Sequence, residues 1–589
     1  MNARHFALLL VLAAPAAAVQ DKAPAQPGFE HVVPSDSVFF VGVSDVEEFG
    51  RNFRASPAGR FWYDPANAPL REALEARIDG LTAQMHAELG VDPLKFLDML
   101  HGRLALTTVG LPRVEDLQAG PPHGFALALL ADVGPDHDAC ETLVSALESR
   151  LAEELGAVRK SAVTGDTEIS VLELAHGDEH EPSLRLKHGF HGDTLVLTLE
   201  LHPMQAEALE TLIARLDGEP GESLADVPRF AGSLAAETGG TQLWIDCGRI
   251  LGLVREALVQ QGDDDRANFL GRTGLFDLGC LSMNSAYEKA GSRMRLRLDW
   301  WGSGWIQSFA RLACVSGPPT TLGVVPADCL SAFAARVDFG GLFDAAVKAL
   351  IDSGAVTMPD VVGFLSEAEE SLGFNPRDDL LEALDGQVTL VQCAVPPEDA
   401  IPGLQGDPQN MLLLVGLKDG TRVNGIIEDA VRRTGLHAAR KRTEFQGYEM
   451  FGVPVFPGFE VHYAVLPDLA VLSLSGALLQ DVLRRKADPD LPSLAKDKEF
   501  QARFASLTRA PGLLEYQDTA ANAKAALHML DSVGELLERI DVGSMGGLGG
   551  LLTGLPKVDE ALIDRHFKGA TVAALSVDEN GLMLEAVSP

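Results

Sequence analysis

Four histidines crowd one short stretch of this chain: His176 and His180 flank Gly-Asp-Glu, and His188 and His191 follow, out of 15 in the whole sequence. Imidazoles at such spacing on facing hairpin strands can converge on zinc, copper or nickel, with Asp178 or Glu181 as further ligands. The plainer reading is a polar hairpin tip whose histidines and acids are solvated. The matching hairpin of the second half holds only His462, which favours that plainer reading.

Other catalytic spacings fail. No Gly-x-Ser-x-Gly elbow is present for a serine nucleophile. His180-Glu181 runs into Pro182-Ser183 rather than reaching a second histidine one helical turn on. No phosphate loop with its lysine occurs, and the glycine-rich run from Gly543 to Gly554 follows a helical pattern and reads as a loose loop. Asp263-Asp264-Asp265 lacks the spacing and glycine of a calcium loop and reads as a solvated turn. Cys140, Cys247, Cys280, Cys314, Cys329 and Cys393 form no Cys-x-x-Cys pair, so a redox dithiol and a zinc knuckle are both disfavoured. Buried free thiols are expected, and Cys314 with Cys329 is the one pair whose spacing could bridge a joint in the chain.

What must position these residues is found by laying the sequence on itself. Val33-Pro34-Ser35-Asp36 and Val325-Pro326-Ala327-Asp328 each open a strand pattern. Leu89-Gly90-Val91-Asp92-Pro93 returns as Leu372-Gly373-Phe374-Asn375-Pro376, and Gly192 to Leu199 returns as Pro467 to Leu474. Ser223-Leu224-Ala225 with Phe230 returns as Ser493-Leu494-Ala495 with Phe500. Their shared order in both halves indicates an internal duplication. The repeated polar residues read as architectural: Asp92 and Asn375 as helix N-caps before a first-turn proline, Asp45 and Asp338 as caps, Gly102 and Gly386 as left-handed helix stops.

The expected fold is α+β, with two tandem homologous units, each a mainly antiparallel sheet with helices packed on one face. Strand patterns joined by short Gly or Asp turns carry that expectation. The expected organisation is a signal peptide over 1–18, a linker over 19–33, a first unit over 34–300, a connector over 301–324 and a second unit over 325–589. Trp300, Trp301 and Trp305 at the joint either seal one unit or form an exposed aromatic patch for a ligand or partner.

The leader reading rests on Arg4, the apolar run Phe6–Ala14 and Ala16-Ala17-Ala18. The apolar run is half the ~20 residues a spanning helix needs. Export to the periplasm or beyond follows, with no membrane-spanning segment after cleavage. The 589 residues carry 84 acidic and 48 basic side chains, a net charge of −36, which repels phosphate backbones and sets nucleic acid aside. At 46% hydrophobic and 22% charged, the composition is that of a chain with real cores.

With the duplicated strand openings and helix caps in hand, the chain resembles a loose group of exported bacterial proteins of unknown function that carry one or two such α+β units. That resemblance implies no activity, cofactor or catalytic residue. The function expected is an exported non-enzymatic binding or scaffold protein, its partner a protein or small molecule. The alternatives are a hydrolase without a recognisable motif and a transition-metal protein using His176, His180, His188 and His191; a small share falls to a carrier of an apolar ligand.

Overall fold

The computed structural model describes residues 27–89, 93–111, 125–174, 184–201, 207–232, 240–288, 291–394, 410–456, 459–524 and 556–589. The leader, Asp92, His176, Asp178, His180, Glu181 and the glycine-rich run 543–554 lie outside the described residues. Helix and strand are mixed around a large antiparallel sheet. Two compact units are present: Met1–Ala267 with Leu278–Asp299 and Leu527–His566, and Asn268–Asp277 with Trp300–Ala526 and Phe567–Pro589.

In the first unit the strands are β1 (Phe39–Val43), β2 (Leu104–Val109), β3 (Ala126–Asp132), β4 (Val158–Thr164), β5 (Thr167–Leu174), β6 (Leu184–His191), β7 (Thr194–Leu201), β8 (Thr241–Asp246), β9 (Leu278–Glu288) and β10 (Gly291–Trp300). Their lateral order is β4-β5-β6-β7-β3-β2-β1-β8-β9-β10, and every pair with a described register is antiparallel. The helices used below are α1 (Val46–Ala55), α2 (His137–Leu155), α3 (Ala208–Leu216) and α4 (Cys247–Gln260).

The second unit holds β11 (Ser331–Arg336), β12 (Leu384–Gln392), β13 (Met411–Leu417), β14 (Lys441–Phe445), β15 (Tyr448–Phe456), β16 (Phe459–Val465), β17 (Leu469–Ser473), β18 (Leu513–Asp518), β19 (Ala570–Val577) and β20 (Gly581–Ser588). The lateral order is β14-β15-β16-β17-β13-β12-β11-β18-β19-β20, again antiparallel throughout. Each strand stands where its namesake ten places earlier stands in the first unit. Its helices include α5 (Trp305–Ala313), α6 (Phe339–Asp352), α7 (Gly420–Arg433) and α8 (Gly476–Ala487).

The repeated sequence motifs turn out to be ties. Val33 and Val325 are fully buried, and their carbonyls accept hydrogen bonds from Leu224 N at 2.7 Å and Leu494 N at 2.9 Å. Leu224 and Leu494 are themselves fully buried, beside Phe230 and Phe500. In both units the turn before the first strand is thus stapled to the Ser-Leu-Ala turn. The end of the stretch expected to be linker belongs to this core: Phe29 is buried, with the Arg103 guanidinium 4.2 Å above its ring. Asp45 and Asp338 cap as expected, accepting from Glu48 N at 2.7 Å and Gly341 N at 2.9 Å. Asn375 does likewise for Arg377 N at 2.9 Å. Gly386 is left-handed at φ 92°, but Gly102 is not; a Cβ there would meet the Asp132 carboxylate at 2.9 Å, and that close approach requires the glycine.

Alternation along the strands separates two faces of each sheet. One face is closed. In the first unit Phe40, Ala105, Ala128, Leu130, Val196 and Trp244 pack beneath Leu209, Leu212 and Ile213 of α3. In the second, Ala332, Val391, Leu412 and Val471 pack beneath Leu479, Val482 and Leu483 of α8. The opposite face is covered in part, by α2, the turn around Leu100 and α1 (Val46, with Phe49 and Phe53 against Tyr287 of β9) in the first unit, where α4 also overhangs it, and by α7 in the second. Helices are therefore not confined to one face. The remainder of that second face leaves Leu127 and Leu199 more than a third exposed in the first unit and Phe333, Leu390 and Leu472 about two-fifths exposed in the second. Leu472, Leu413, Leu390 and Phe333 lie side by side in one lateral row of the ladder.

Truncating either tie tests the shared design. Leu224→Ala and Leu494→Ala should each lower the unfolding free energy by about 2–5 kcal/mol in urea titrations, through lost burial and the cavity left behind. A loss below 1 kcal/mol at either site would show that the turn is not part of the core it is placed in.

Candidate functional site

The conspicuous histidines separate in the fold. His188 and His191 stand three residues apart on β6, so they point to opposite faces. His188 is buried, with Nδ1 2.6 Å from Oε1 of Glu148, a carboxylate on α2 with no exposed surface. Ser170 on β5 donates to the other Glu148 oxygen at 2.8 Å, and Arg159 on β4 approaches it at 3.3 Å. Burial raises the Glu148 pKa, but the hydrogen bond to His188 and the neighbouring charges more than offset it, leaving the carboxyl below its usual range. The carboxylate sits between the serine and the histidine. A nucleophile relay needs the imidazole between the other two, so this is an order suited to fixing α2 on the sheet. His191 lies 3.5 Å from Asp217. Among the described residues no three His, Cys, Asp or Glu side chains are placed to hold a metal ion.

The second unit repeats the arrangement in other chemistry. Ser170 faces His188 across the β5–β6 ladder, as Phe451 faces Tyr463 across β15–β16. Glu428 on α7 pairs with Arg440 at 2.5 Å, and Arg440 lies 3.5 Å above the Phe451 ring, which stacks on Tyr463. An acidic residue on the helix and an arginine at the edge strand are common to both; the pair between them has changed from Ser and His to two aromatics.

Sequence reasoning missed a buried lysine. Lys187 is 1% exposed on β6. Its Nζ lies 3.1 Å from Glu200, 2.8 Å from Glu207 and 3.0 Å from Glu210. Burial pulls its pKa down, and the hydrogen bond to Glu207 with the charges of Glu200 and Glu210 takes it above its ordinary value. Burial and its neighbour Glu207 push Glu210 up, while Glu210 and Lys187 hold Glu207 down. Glu200 also accepts from Ala208 N at 3.1 Å and Leu209 N at 3.2 Å, capping α3. In the second unit His462 occupies the corresponding rung, opposite Ser473 as Lys187 is opposite Thr198. Little in the sequence signals it, since Lys187 stands in a strand that also carries Arg185, His188 and His191, and its three glutamates lie 13, 20 and 23 residues downstream.

All six cysteines are free. Cys314 Sγ donates to Leu575 O at 3.2 Å, while Cys329 shares its core with Cys393, so the bridge considered from spacing does not form. Burial pushes Cys329 up to about 12 and Cys393 up to about 11, which makes both poor nucleophiles.

The feature shaped for a ligand is a groove of about 460 Å³ on the less covered face of the first unit. Its walls are Ile250, Leu253, Val254 and Leu258 of α4 on one side, and Val38, Leu111 and Phe125 at the ends of β1, β2 and β3 on the other. Among the described residues its polar lining is Thr108 and Gln261, and none of those that line it is charged. Thr108 is already engaged, its hydroxyl accepting from Val38 N at 3.0 Å and Phe39 N at 3.2 Å. From Thr108 the apolar surface runs laterally to Leu127 and Leu199, its partners on the next two strands.

No family model matches the chain, and no curated protein does. Among solved structures, crystal form III of TP0453 is similar at a TM-score of 0.23 and 13% identity, over 48% of this chain and 82% of that one, a likeness too slight to carry an argument. Among the described residues no helix is long and apolar enough to cross a membrane.

Two outcomes follow from the charged clusters. Lys187→Ala leaves Glu200 buried without its cation and should cost about 3–5 kcal/mol of stability, read by urea unfolding; a neutral substitution would show that the lysine is not buried among carboxylates. His101 bridges Glu47 at 3.1 Å and Asp136 at 2.6 Å. Burial lowers its pKa, but the two hydrogen bonds raise it further, for a net upward displacement. Its stabilising effect is therefore complete below the unfolded value of about 6.5 and is lost as pH climbs through the folded one. The urea midpoint should fall on raising the pH above about 6.5, and His101→Gln should remove that part of the slope.

Proposed function

We propose that the chain is an exported, non-enzymatic binding protein, built from two copies of one α+β unit, that carries a small neutral apolar molecule in the groove of its first unit. The observation that carries this reading is the groove itself. Its volume lies within the about 300–1,000 Å³ of ordinary ligand sites, and its described lining is apolar save for Thr108 and Gln261. Among the described residues that line it an anionic head group meets no cation, and a charged one of either sign would lose its hydration without a partner, which favours a neutral occupant. Export is supported by the leader pattern. Duplication is supported by the identical strand orders, the paired Val and Ser-Leu-Ala ties, and the Arg–Glu pair beneath the same sheet edge.

Titration with N-phenyl-1-naphthylamine, a neutral apolar fluorophore, tests the assignment. Saturable binding near one equivalent is expected. Val254→Asp, on a side chain already 43% exposed, should fold normally and weaken binding at least about tenfold by placing a charge against the ligand. Binding that is unsaturable, or unchanged in the variant, would overturn the reading.

A further inference from the structure

The second unit holds a hollow of different character. It encloses about 490 Å³ and mixes charged, hydroxyl and aromatic groups: Arg272, Lys348 and Asp352 on its rim, Ser308, Trp305 and Phe309 on its wall. We propose that this hollow binds an oxyanion borne on a ring, with Arg272 and Lys348 holding the anionic group and Trp305 supporting the ring.

Three observations carry the proposal. The first is charge. In a chain with 84 acidic and 48 basic residues, an acid is near almost any cation, and Arg377, Arg422, Arg440 and Arg509 of the same unit are all ion-paired. Arg272 and Lys348 have no carboxylate partner among the described residues, yet both face one cavity. Two cations against the single carboxylate of Asp352 leave the hollow with a net positive charge inside a strongly negative molecule, a local inversion that attracts anions where the rest of the surface attracts cations.

The second is placement. Arg272 donates from one terminal nitrogen to the Asp352 carbonyl at 2.9 Å, which anchors the guanidinium at the rim and leaves its remaining donors free to form charge-assisted bonds. Lys348 lies one helical turn before Asp352 on α6, so both project from the same helix face toward the cavity. The third is the wall. Trp305 meets Phe269 edge to face with centroids 6.1 Å apart, which fixes its indole while it still lines the hollow. Ser308 and Phe309 follow it on α5, one offering a hydroxyl and the other a second apolar surface. A ring with hydroxyl or ether oxygens fits this mixture, and Asp352 is placed to accept from a ring hydroxyl. The tryptophans that stood out in the sequence thus divide: Trp300 is buried, and Trp305 lines a cavity.

The test is calorimetric titration of the full chain with phenyl phosphate, benzoate, phenol and inorganic phosphate. Phenyl phosphate, benzoate or both should bind, and bind more tightly than phenol or inorganic phosphate, because only they engage both the cations and the ring wall. Lys348→Gln, at an exposed position, should weaken that binding about tenfold and lessen its salt dependence, and Trp305→Leu should erase the preference for ring-bearing anions over inorganic phosphate. Arg272→Gln serves as a second, independent loss of charge. Equal binding of phenol and the two ring anions, indifference to Lys348→Gln and Arg272→Gln together, or no binding of either ring anion at millimolar concentration would each overturn the proposal. None of these outcomes depends on the apolar groove of the first unit.

Discussion

Each unit is organised by one constraint: a ten-strand antiparallel sheet has two faces to keep from water, and among the described residues helix and turn close one of them fully and the other only in part. The closed face is where burial is complete. A short helix lies on it, and two turns distant in sequence are drawn together by backbone hydrogen bonds, from Leu224 to Val33 and Ser35 to Glu222 in the first unit and from Leu494 to Val325 in the second. Apolar side chains on the other face are sheltered in places and left partly open elsewhere. A contiguous open apolar surface of that kind is uncommon on a protein with nothing to bind. The groove beside α4 opens on it at Thr108.

Beneath the sheet edge the two units solve one problem with different residues. A helix must be held against the sheet edge, and a carboxylate from the helix pairs with an arginine there in both, Arg159 on β4 and Arg440 just before β14. The first unit sets titratable groups on both faces of β6, Glu148 with His188 on the face that holds this pair and Lys187 with three glutamates on the other. The second has aromatic stacking and a neutral Ser475 cap in their place. Buried ion pairs contribute little net stability but are costly to break, so they fix a register more than they strengthen it. The first unit is accordingly the one whose geometry depends on charge.

Much of the architecture was legible in the sequence because capping is local. Asp45, Asp338 and Asn375 act on backbone within three residues, and their roles follow from spacing alone. Gly102 was misread because its requirement comes from Asp132, 30 residues away, and not from its own backbone angles. Phe29 and Val33 looked like linker because the Ser-Leu-Ala turn that covers them is nearly 200 residues downstream. The histidine cluster was visible as composition, but strand parity sends His188 and His191 to opposite faces, and their partners Glu148 and Asp217 come from helices no spacing rule connects to them. The groove was invisible for a different reason: Ile250, Leu253, Val254, Ala257 and Leu258 form the same helical stripe whether a helix packs tightly or stands off the sheet.

Amide hydrogen exchange on the intact protein, with and without a saturating neutral apolar ligand, tests the central claim most directly. Protection should concentrate in Cys247–Gln260 and at the ends of β1, β2 and β3 that line the groove, with the closed face unchanged. Protection confined to other segments, or none at saturation, would contradict the account.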